Sequence, residues 1–352
     1  MQFTMNRDAL LHAAQIMAKV AAKASTQAMA CTLIETSDGN ASFSATDGEQ
    51  AIVHTDIAMI MDDGACMVPA QALARVVKSL KDGAVIVTAE SGAVSVECGK
   101  SRFELPSLTV DNWQGMPSDG EGPTCKVDAA VLQDMAKRVV PFAAEKKEAR
   151  EWSKGVNIAF EGGSIKLQAS DSYRIAECWH DAEGEEFAVL VPATFVTDAV
   201  AAMFGEVEIT SDGNRCTFAC ANTRISTRAI ATKFPNIKQM WPKAPKYALQ
   251  LSMRELSGAF GRALQLGNNP VDLDATGGQM RVSVNESGIG KFEENIPCDG
   301  DYSGCAALQY IKTCVDAMDV DEVSVQSDGE IAPITFYGDK VRACVMPIRR
   351  SA

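Results

Sequence analysis

The stretch Val68-Pro-Ala-Gln-Ala-Leu-Ala-Arg-Val-Val-Lys-Ser-Leu80 decides how this chain is organised, because a close copy of it returns later in the sequence. The copy is Val191-Pro-Ala-Thr-Phe-Val-Thr-Asp-Ala-Val-Ala-Ala-Met203. Pro69 suits a helix start, and the apolar residues that follow it recur at helical spacing. The flanks repeat in phase, since Ser44-Ala-Thr-Asp47 matches Gln168-Ala-Ser-Asp171 and Cys98-Gly-Lys-Ser-Arg-Phe103 matches Cys220-Ala-Asn-Thr-Arg-Ile225. The sequence is therefore internally repeated.

A third copy lies near the end of the chain. Ala306-Ala-Leu-Gln-Tyr-Ile-Lys-Thr-Cys-Val-Asp-Ala-Met318 repeats the apolar spacing and the Val-x-Ala-Met ending of the second copy. Three copies give about 117 residues each, which lies within the usual size of a domain, whereas solenoid repeats run to roughly 20–50 residues. We therefore predict three homologous domains, at residues 1–122, 123–245 and 246–352.

Within each copy the pattern predicts a helix, several strands, a second helix and more strands. Asn6, Asp128 and Ser252 are good N-caps for the first helix of each copy. Short alternating runs separated by Asp-Gly turns, such as the one at Asp38, indicate antiparallel strands. The predicted fold class is α+β, with six helices and antiparallel sheets.

The composition is that of a globular chain, with 46% hydrophobic and 22% charged residues. No apolar run approaches the roughly 18–20 residues of a membrane span, and an acidic residue, Asp8, stands where a signal peptide would be basic. We expect no membrane association and a cytoplasmic location.

Eleven cysteines are spread through the chain without a Cys-x-x-Cys pair, so buried free thiols are favoured over disulfides or a zinc finger. The three histidines, His12, His54 and His180, have no second metal ligand near them in sequence. We expect neither a metal nor a cofactor.

The net charge of −13 argues against a protein that holds nucleic acid with its whole surface. Basic residues nevertheless recur on or beside the predicted helices, and a basic loop follows the third helix. Solvated helix faces would also explain any one of them. The helix residues are His12, Lys19, Lys23, Arg75, Lys78, Lys137, Arg138, Arg254, Arg262 and Lys312, and the loop residues are Lys146, Lys147 and Arg150.

Over nearly its whole length the chain resembles the bacterial DNA polymerase III beta subunit family, the sliding clamps. The order and spacing of many short motifs carry the resemblance. They include Ala45-Thr-Asp47, Val68-Pro-Ala70, Ser101-Arg-Phe103, Ala169-Ser-Asp171, Val191-Pro-Ala193, Phe234-Pro235 and Met346-Pro-Ile-Arg349.

The resemblance implies the DNA clamp fold and a head-to-tail dimer that forms a ring of six similar domains, with helices lining a hole for duplex DNA. Its implied partners are duplex DNA, the DNA polymerase III alpha subunit, the clamp loader and other proteins with a clamp-binding motif. The basic residues above would then face DNA. Because such a ring is held by topology, an acidic outer surface is compatible with this function.

The resemblance also implies a cleft, between the second and third domains, that receives a short partner peptide. Apolar side chains there would take a leucine and an aromatic residue, and Arg174 would fix the polar end. A final core strand is the less favoured alternative for Met346 and Ile348. The matching residues are Ser170, Ser172, Tyr173, Arg174, Ile175, Pro235, Met240, Val345, Met346, Pro347 and Ile348.

Two segments are candidates for the dimer interface. Lys100, Arg102 and Phe103 lie in a predicted edge strand of the first domain, and Gln265 and Leu266 lie in the third domain. Exposed strand edges normally pair or are protected. We therefore predict that these segments join two copies of the chain.

Two other classes of function remain open. Asp47 and Asp171 could form the carboxylate pair of a hydrolase, although turn formation explains each of them better. A divergent clamp-like protein that binds partners without serving bulk replication would fit the departures from the family at Ala24, Ser153 and Arg350.

Overall fold

The computed structural model of the protein describes residues 1–90, 92–113, 115–117, 119–146 and 148–349. Six α-helices lie in these ranges, and all the strand pairs given below run antiparallel. The α+β prediction is confirmed. No helix in the described part of the chain has both the length and the apolar character needed to cross a membrane.

The first repeat contains β1 Gln2–Asn6, α1 Arg7–Ala21, β2 Cys31–Ser37, β3 Asn40–Thr46, β4 Gln50–Ile57, β5 Met59–Asp62, β6 Gly64–Pro69, α2 Ala70–Ser79, β7 Ala84–Glu90, β8 Ala93–Cys98 and β9 Ser101–Pro106. The second contains β10 Thr124–Asp128, α3 Ala129–Val139, β11 Gly155–Glu161, β12 Ser164–Ser170, β13 Arg174–Asp181, β14 Glu183–Gly184, β15 Phe187–Pro192, α4 Ala193–Ala202, β16 Glu206–Ser211, β17 Arg215–Ala219 and β18 Thr223–Arg228. The third contains β19 Tyr247–Ser252, α5 Met253–Ala263, β20 Pro270–Thr276, β21 Gln279–Glu286, β22 Gly290–Asp299, β23 Tyr302–Ala307, α6 Leu308–Asp316, β24 Glu322–Ser327, β25 Ile334–Gly338 and β26 Val341–Val345.

The three predicted N-caps are confirmed. Asn6 Oδ1 accepts from Asp8 N at 2.8 Å, and Asp128 Oδ1 accepts from Ala130 N at 2.8 Å. Ser252 Oγ accepts from Glu255 N at 3.4 Å. These side chains satisfy helix-terminal N–H groups that have no partner within the helix.

The sequence prediction missed a strand before every helix. Pro69 does stand at the start of a helix, but it also ends β6 and is the N-cap residue directly before α2. A short apolar strand that is followed by a helix without an intervening turn forms one continuous apolar stretch with that helix. In such a stretch the spacing of apolar residues does not distinguish strand from helix.

By contact density the chain divides into two compact units. The first consists of Met1–Ala130 and Thr194–Ala229. It holds the sheet β5-β1-β7-β8-β9 and the strands β10-β16-β17-β18-β4-β3-β2-β6 of a second sheet. Helices α1 and α2 meet through small side chains, Ala18, Ala21 and Ala70, and Gln71 Nε2 donates to Ala18 O at 2.7 Å.

The second unit consists of Val131–Ala193 and Ile230–Ala352. Its strands other than β14 form a sheet of order β15-β11-β12-β13-β26-β25-β24-β19-β22-β21-β20-β23. The second repeat thus contributes strands to a sheet of each unit, since β18 pairs with β4 and β13 pairs with β26. The division into three domains remains a prediction.

Candidate functional site

The candidate cleft residues of the second and third repeats meet where β13 pairs with β26. Arg174 lies opposite Val345 in that register. Beyond β26 the chain stays tied to its neighbours, because Met346 N donates to Tyr173 O at 2.7 Å and Ile348 N donates to Cys305 O at 2.7 Å. The structure therefore places Tyr173 and Arg174 beside the segment 345–348.

A tight turn presents Tyr173 at the start of β13. Asp171 Oδ1 accepts from Tyr173 N at 2.9 Å and from Arg174 N at 3.0 Å, while Ser170 Oγ accepts from Ser172 N at 3.1 Å. Ser172 adopts a φ of 82°. Asp47 accepts in the same way from the backbone of its own turn. The turn-forming interpretation of both aspartates is confirmed.

Arg174 is held between a carboxylate and two aromatic rings. Its Nε donates to Asp171 Oδ2 at 2.9 Å, and its guanidinium carbon lies 4.7 Å from the centre of the Tyr310 ring and 5.4 Å from that of Phe142. Tyr310 also stacks on Tyr173, with ring centres 6.0 Å apart. Cation–π contact and the ion pair together fix the guanidinium, so it is preorganised to meet a polar ligand group.

A buried apolar cluster underlies this junction. It consists of Ile175, Ile237, Trp241 and Cys344, and Met240 packs against it. Burial raises the pKa of the Cys344 thiol to about 12, so this cysteine is an inert apolar side chain.

The outer apolar side chains are less covered. Met346 is 39% exposed and Ile348 is 38% exposed, and Pro235 and Tyr173 are exposed as well. Ser153, which departs from the family pattern, is fully buried, and its hydroxyl donates to Arg150 O at 2.7 Å. Its role is therefore to fix the backbone of the preceding loop.

The basic candidates of the first unit differ from one another. Lys19, Arg75 and Lys78 are exposed, and Lys23 Nζ forms an ion pair with Asp198 at 2.8 Å. His12 does not share their open face. Its ring packs edge-on against the buried His54, with centres 5.4 Å apart.

His54 is buried in β4 and its Nδ1 is hydrogen-bonded to Thr223 Oγ1 at 2.8 Å. Burial, reinforced by the neighbouring His12, lowers the pKa of His54 to about 4. The pair therefore belongs to the packing between α1 and the sheet, which helical spacing alone could not show.

In the second unit Lys137, Lys146, Arg150 and Arg254 are exposed, while Lys147 lies outside the described residues. The other three basic candidates form ion pairs with carboxylates of the chain. Arg138 contacts Asp134 at 2.8 Å and Asp319 at 3.3 Å, Arg262 contacts Glu294, and Lys312 contacts Asp316. Their positive charge is partly neutralised by the chain itself. Arg350, the third departure from the family, also lies outside the described residues.

The candidate residues for the dimer interface lie at or beside open strand edges. Strand β9 ends its sheet, and Lys100, Arg102 and Phe103 are exposed along it. Within the described chain, β22 pairs with β21 from Gly290 to Pro297 but with β19 only through Cys298 and Asp299, which leaves residues 290–296 open on one side. Leu266 approaches the start of this open edge at Gly290, and Gln265 is exposed.

Two family models match the chain, and both describe the DNA polymerase III beta subunit. Its N-terminal domain matches residues 1–117 and its central domain matches residues 126–236. The chain belongs to the DNA polymerase III beta subunit family.

Individual relatives agree with this membership along the full chain. The beta sliding clamp of Pseudomonas putida is 25% identical, covering 99% of this chain and 100% of the relative. The crystal structure of the DNA polymerase sliding clamp from Bacillus subtilis superposes with a TM-score of 0.91 at 20% identity, with 100% of both chains covered. A Pseudomonas aeruginosa sliding clamp bound to griselimycin gives a TM-score of 0.91 at 21% identity, covering 99% of this chain and 100% of that one.

Sequence reasoning missed two residues that shape the site of this family member. Tyr310 carries the stacking on Arg174, and Trp241 lies in the apolar cluster with the Arg342 guanidinium 4.3 Å from its ring centre. Both lie far along the chain from their partners. The sequence shows only that Tyr310 lies in a helical pattern and that Trp241 precedes a proline, and neither fact identifies a contact partner.

Proposed function

We propose that this chain is a sliding clamp. Two copies close head to tail into a ring around duplex DNA, and the cleft holds the alpha subunit of DNA polymerase III, the clamp loader and other proteins that carry a clamp-binding motif. The ring is inferred from one observation. Neighbouring repeats are joined twice within the chain by the same strand pairing, β18 with β4 and β26 with β13, while the equivalent edges of β9 and β22 are open. This function requires no chemistry, and it places the protein in the cytoplasm with the DNA.

The two internal junctions share one register. Ile225 of β18 lies opposite Ile52 of β4, and Ala343 of β26 lies opposite Ala176 of β13. Strands β18 and β26 each begin directly after the two-residue turn of a hairpin, as β9 does. The apolar pair is fully buried at both junctions. Repeats that are joined by the same pairing supply a template for the third junction.

In the described chain, strands β9 and β22 each have an open edge at the place where β18 and β4, or β26 and β13, pair. Applying the shared register to them places Phe103 of one subunit opposite the partner subunit's Phe292 at the buried apolar position. Arg102 then lies opposite the partner subunit's Glu293, and Glu104 opposite the partner subunit's Lys291. Both flanking pairs are of opposite charge, which stabilises directly opposed residues of antiparallel strands. At the position equivalent to Arg102, Arg342 forms an ion pair with Glu177.

The charges of the helices fit a ring that slides. Lys19, Arg75, Lys78, Lys137 and Arg254 are exposed and can contact phosphates, whereas four further basic side chains are paired with carboxylates. Few free cations give weak binding that salt suppresses, since each phosphate contact releases counterions. Retention on DNA then comes from closure of the ring.

The cleft fits an extended peptide of mixed character. The apolar side chains of Met346 and Ile348 would receive its leucine and aromatic residues, and the guanidinium of Arg174 would meet its polar end. Anchors in such sites commonly contribute about 2 kcal/mol or more, on the order of thirtyfold in binding.

Loading onto nicked circular DNA tests the proposal. The protein is loaded by the clamp loader of its own cell and the complex is isolated at 150 mM salt. It should stay bound until a restriction enzyme opens the circle, and then be lost as the ring slides off the ends. Nanomolar binding of the unloaded protein to linear duplex at that salt would contradict encirclement.

A second measurement separates a replication clamp from a divergent clamp-like protein. Primer extension by DNA polymerase III should become processive when the loaded protein is present. Full retention on circular DNA without any gain in processivity would show a ring that does not serve bulk replication. The charge-reversed variant with Arg75→Glu, Lys78→Glu and Lys137→Glu should load poorly while remaining folded.

A further inference from the structure

Three large apolar side chains stand exposed where β4 passes into β5. Ile57 is 81% exposed, Met59 is 63% exposed and Met61 is 49% exposed. They alternate with the buried Ala58 and the half-buried Ile60. Single exposed apolar residues are ordinary, but here three follow one another at every second position, from the end of β4 into β5, and we call them the ridge. The pairing of β5 with β1 has a register irregularity that leaves Met61 without a partner in β1.

The other two repeats show that the fold does not require apolar residues there. One backbone hydrogen bond marks the same position in each repeat: Ala58 N donates to Gly39 O, Ala182 N to Gly163 O and Cys298 N to Gly278 O. Counting from these bonds, the equivalents of the ridge are Asp181, Glu183 and Glu185 in the second repeat and Pro297, Asp299 and Asp301 in the third. All six are exposed.

Five of these six equivalents are acidic, as expected for a solvated connection in a chain of net charge −13. The fold therefore does not require the exposed apolar residues that the first repeat has at these positions. They increase the tendency to associate, which protein surfaces normally avoid.

The ridge lies along a strand edge that is open. Strand β5 ends the sheet β5-β1-β7-β8-β9, and in the described part of the chain it pairs only with β1. Its other edge offers backbone N–H and C=O groups to an added strand, as in recognition by β-strand addition. Methionine side chains adapt to partners of different shape, which suits such a surface.

Acidic residues surround the ridge. Asp56 precedes it, Asp62 and Asp63 follow it, and Asp63 is exposed beside the strand. Asp62 already holds the amino terminus at 3.1 Å. A ligand of this edge therefore gains from positive charge at its ends and from apolar side chains between them.

We propose that Ile57, Met59 and Met61 form a docking ridge for an extended segment of another protein, which adds to β5 as a further strand. The segment has apolar residues at alternate positions and lysine or arginine at its ends. The site uses none of the cleft residues, so a partner held there can bind while the cleft is occupied.

The test uses the full chain and a synthetic peptide that alternates valine with threonine between two lysines at each end. The decisive variant carries Ile57→Asp, Met59→Glu and Met61→Glu, which copies the acidic residues of the second repeat and is therefore compatible with the fold. Calorimetry should show micromolar binding to the natural chain and at least a tenfold loss in the variant. Because the variant is more acidic, purely electrostatic binding would instead strengthen.

Three controls decide between occupants. A peptide with glutamates at its ends should bind at least tenfold more weakly, and a peptide that occupies the cleft should not compete. Sedimentation should show the same dimer for the natural chain and the variant.

Equal binding of the peptide by the variant overturns the proposal. So does an association of natural rings that the variant abolishes, since the ridge would then join copies of this chain.

Discussion

Charge reversal at Arg102 should weaken the ring through one pair between the subunits at each junction. The ion pair of Arg102 with Glu97 at 3.3 Å lies within the subunit, so its loss affects monomer and dimer alike. In the proposed register Arg102 faces the partner subunit's Glu293, as Arg342 faces Glu177 within the chain. A directly opposed pair of charges contributes roughly 0.2–1 kcal/mol, and like charges destabilise by a similar amount. Arg102→Glu therefore costs about 1 kcal/mol per junction, or about 2 kcal/mol for a ring with two junctions. The dimer dissociation constant should rise roughly thirtyfold.

Sedimentation equilibrium at nanomolar to micromolar concentration measures this constant. The double variant Arg102→Glu with Glu293→Arg should restore natural dimerisation, because it recreates an opposite pair at both junctions. Arg281→Glu is the matched control, since Arg281 forms an exposed cross-strand ion pair with Asp274 at 3.0 Å one strand away from the edge. High salt should shrink the effect of the single variant by screening.

The outcome that refutes the reasoning is a dimer that Arg102→Glu weakens no more than Arg281→Glu does. Failure of the double variant to restore the dimer would reject the register while leaving the ring intact. Phe103→Cys with Phe292→Cys gives an independent check, because opposed antiparallel residues lie at a separation that permits a disulfide between subunits.

Three further outcomes are expected. Met346→Ala with Ile348→Ala should weaken binding of a polymerase-tail peptide on the order of thirtyfold in calorimetry while the dimer survives; unchanged affinity would place the partner site elsewhere. Because the folded pKa of His54 is about 4, below its ordinary value, the unfolded chain takes up a proton as pH falls through about 6.5 and the folded chain does not. Stability measured with urea should therefore drop by about 2 kcal/mol between pH 7.5 and pH 5 from this group, and His54→Asn should remove that part of the slope; an unaltered slope contradicts it. Thiol reagents should label at most Cys98 and Cys220 in the native protein, since the other nine cysteines are buried, and rapid labelling of more would show an open core.

The sequence was most informative where one local rule determines structure. Helix faces such as that of Leu73 and Val77, caps such as Asp128 and turns such as that of Asp171 depend on residues a few positions apart. The number of helices was predicted in the same way, since each of the three sequence copies contains two local helical patterns. A repeated unit has to bury the same face in each copy, so the pattern survives when most residue identities change.

Only the tertiary structure decided which distant residues meet. The contact of His12 with His54, the stacking of Tyr310 on Arg174 and the ion pairs of Arg138 join residues that no local pattern connects. The exposed ridge from Ile57 to Met61 was likewise invisible, because an apolar strand residue looks the same in sequence whether it faces a core or solvent. By itself the sequence determined the repeats, their six helices and their family. Burial and charge pairing, which decide what each side chain does, depend on neighbours that are brought together only when the sheets form.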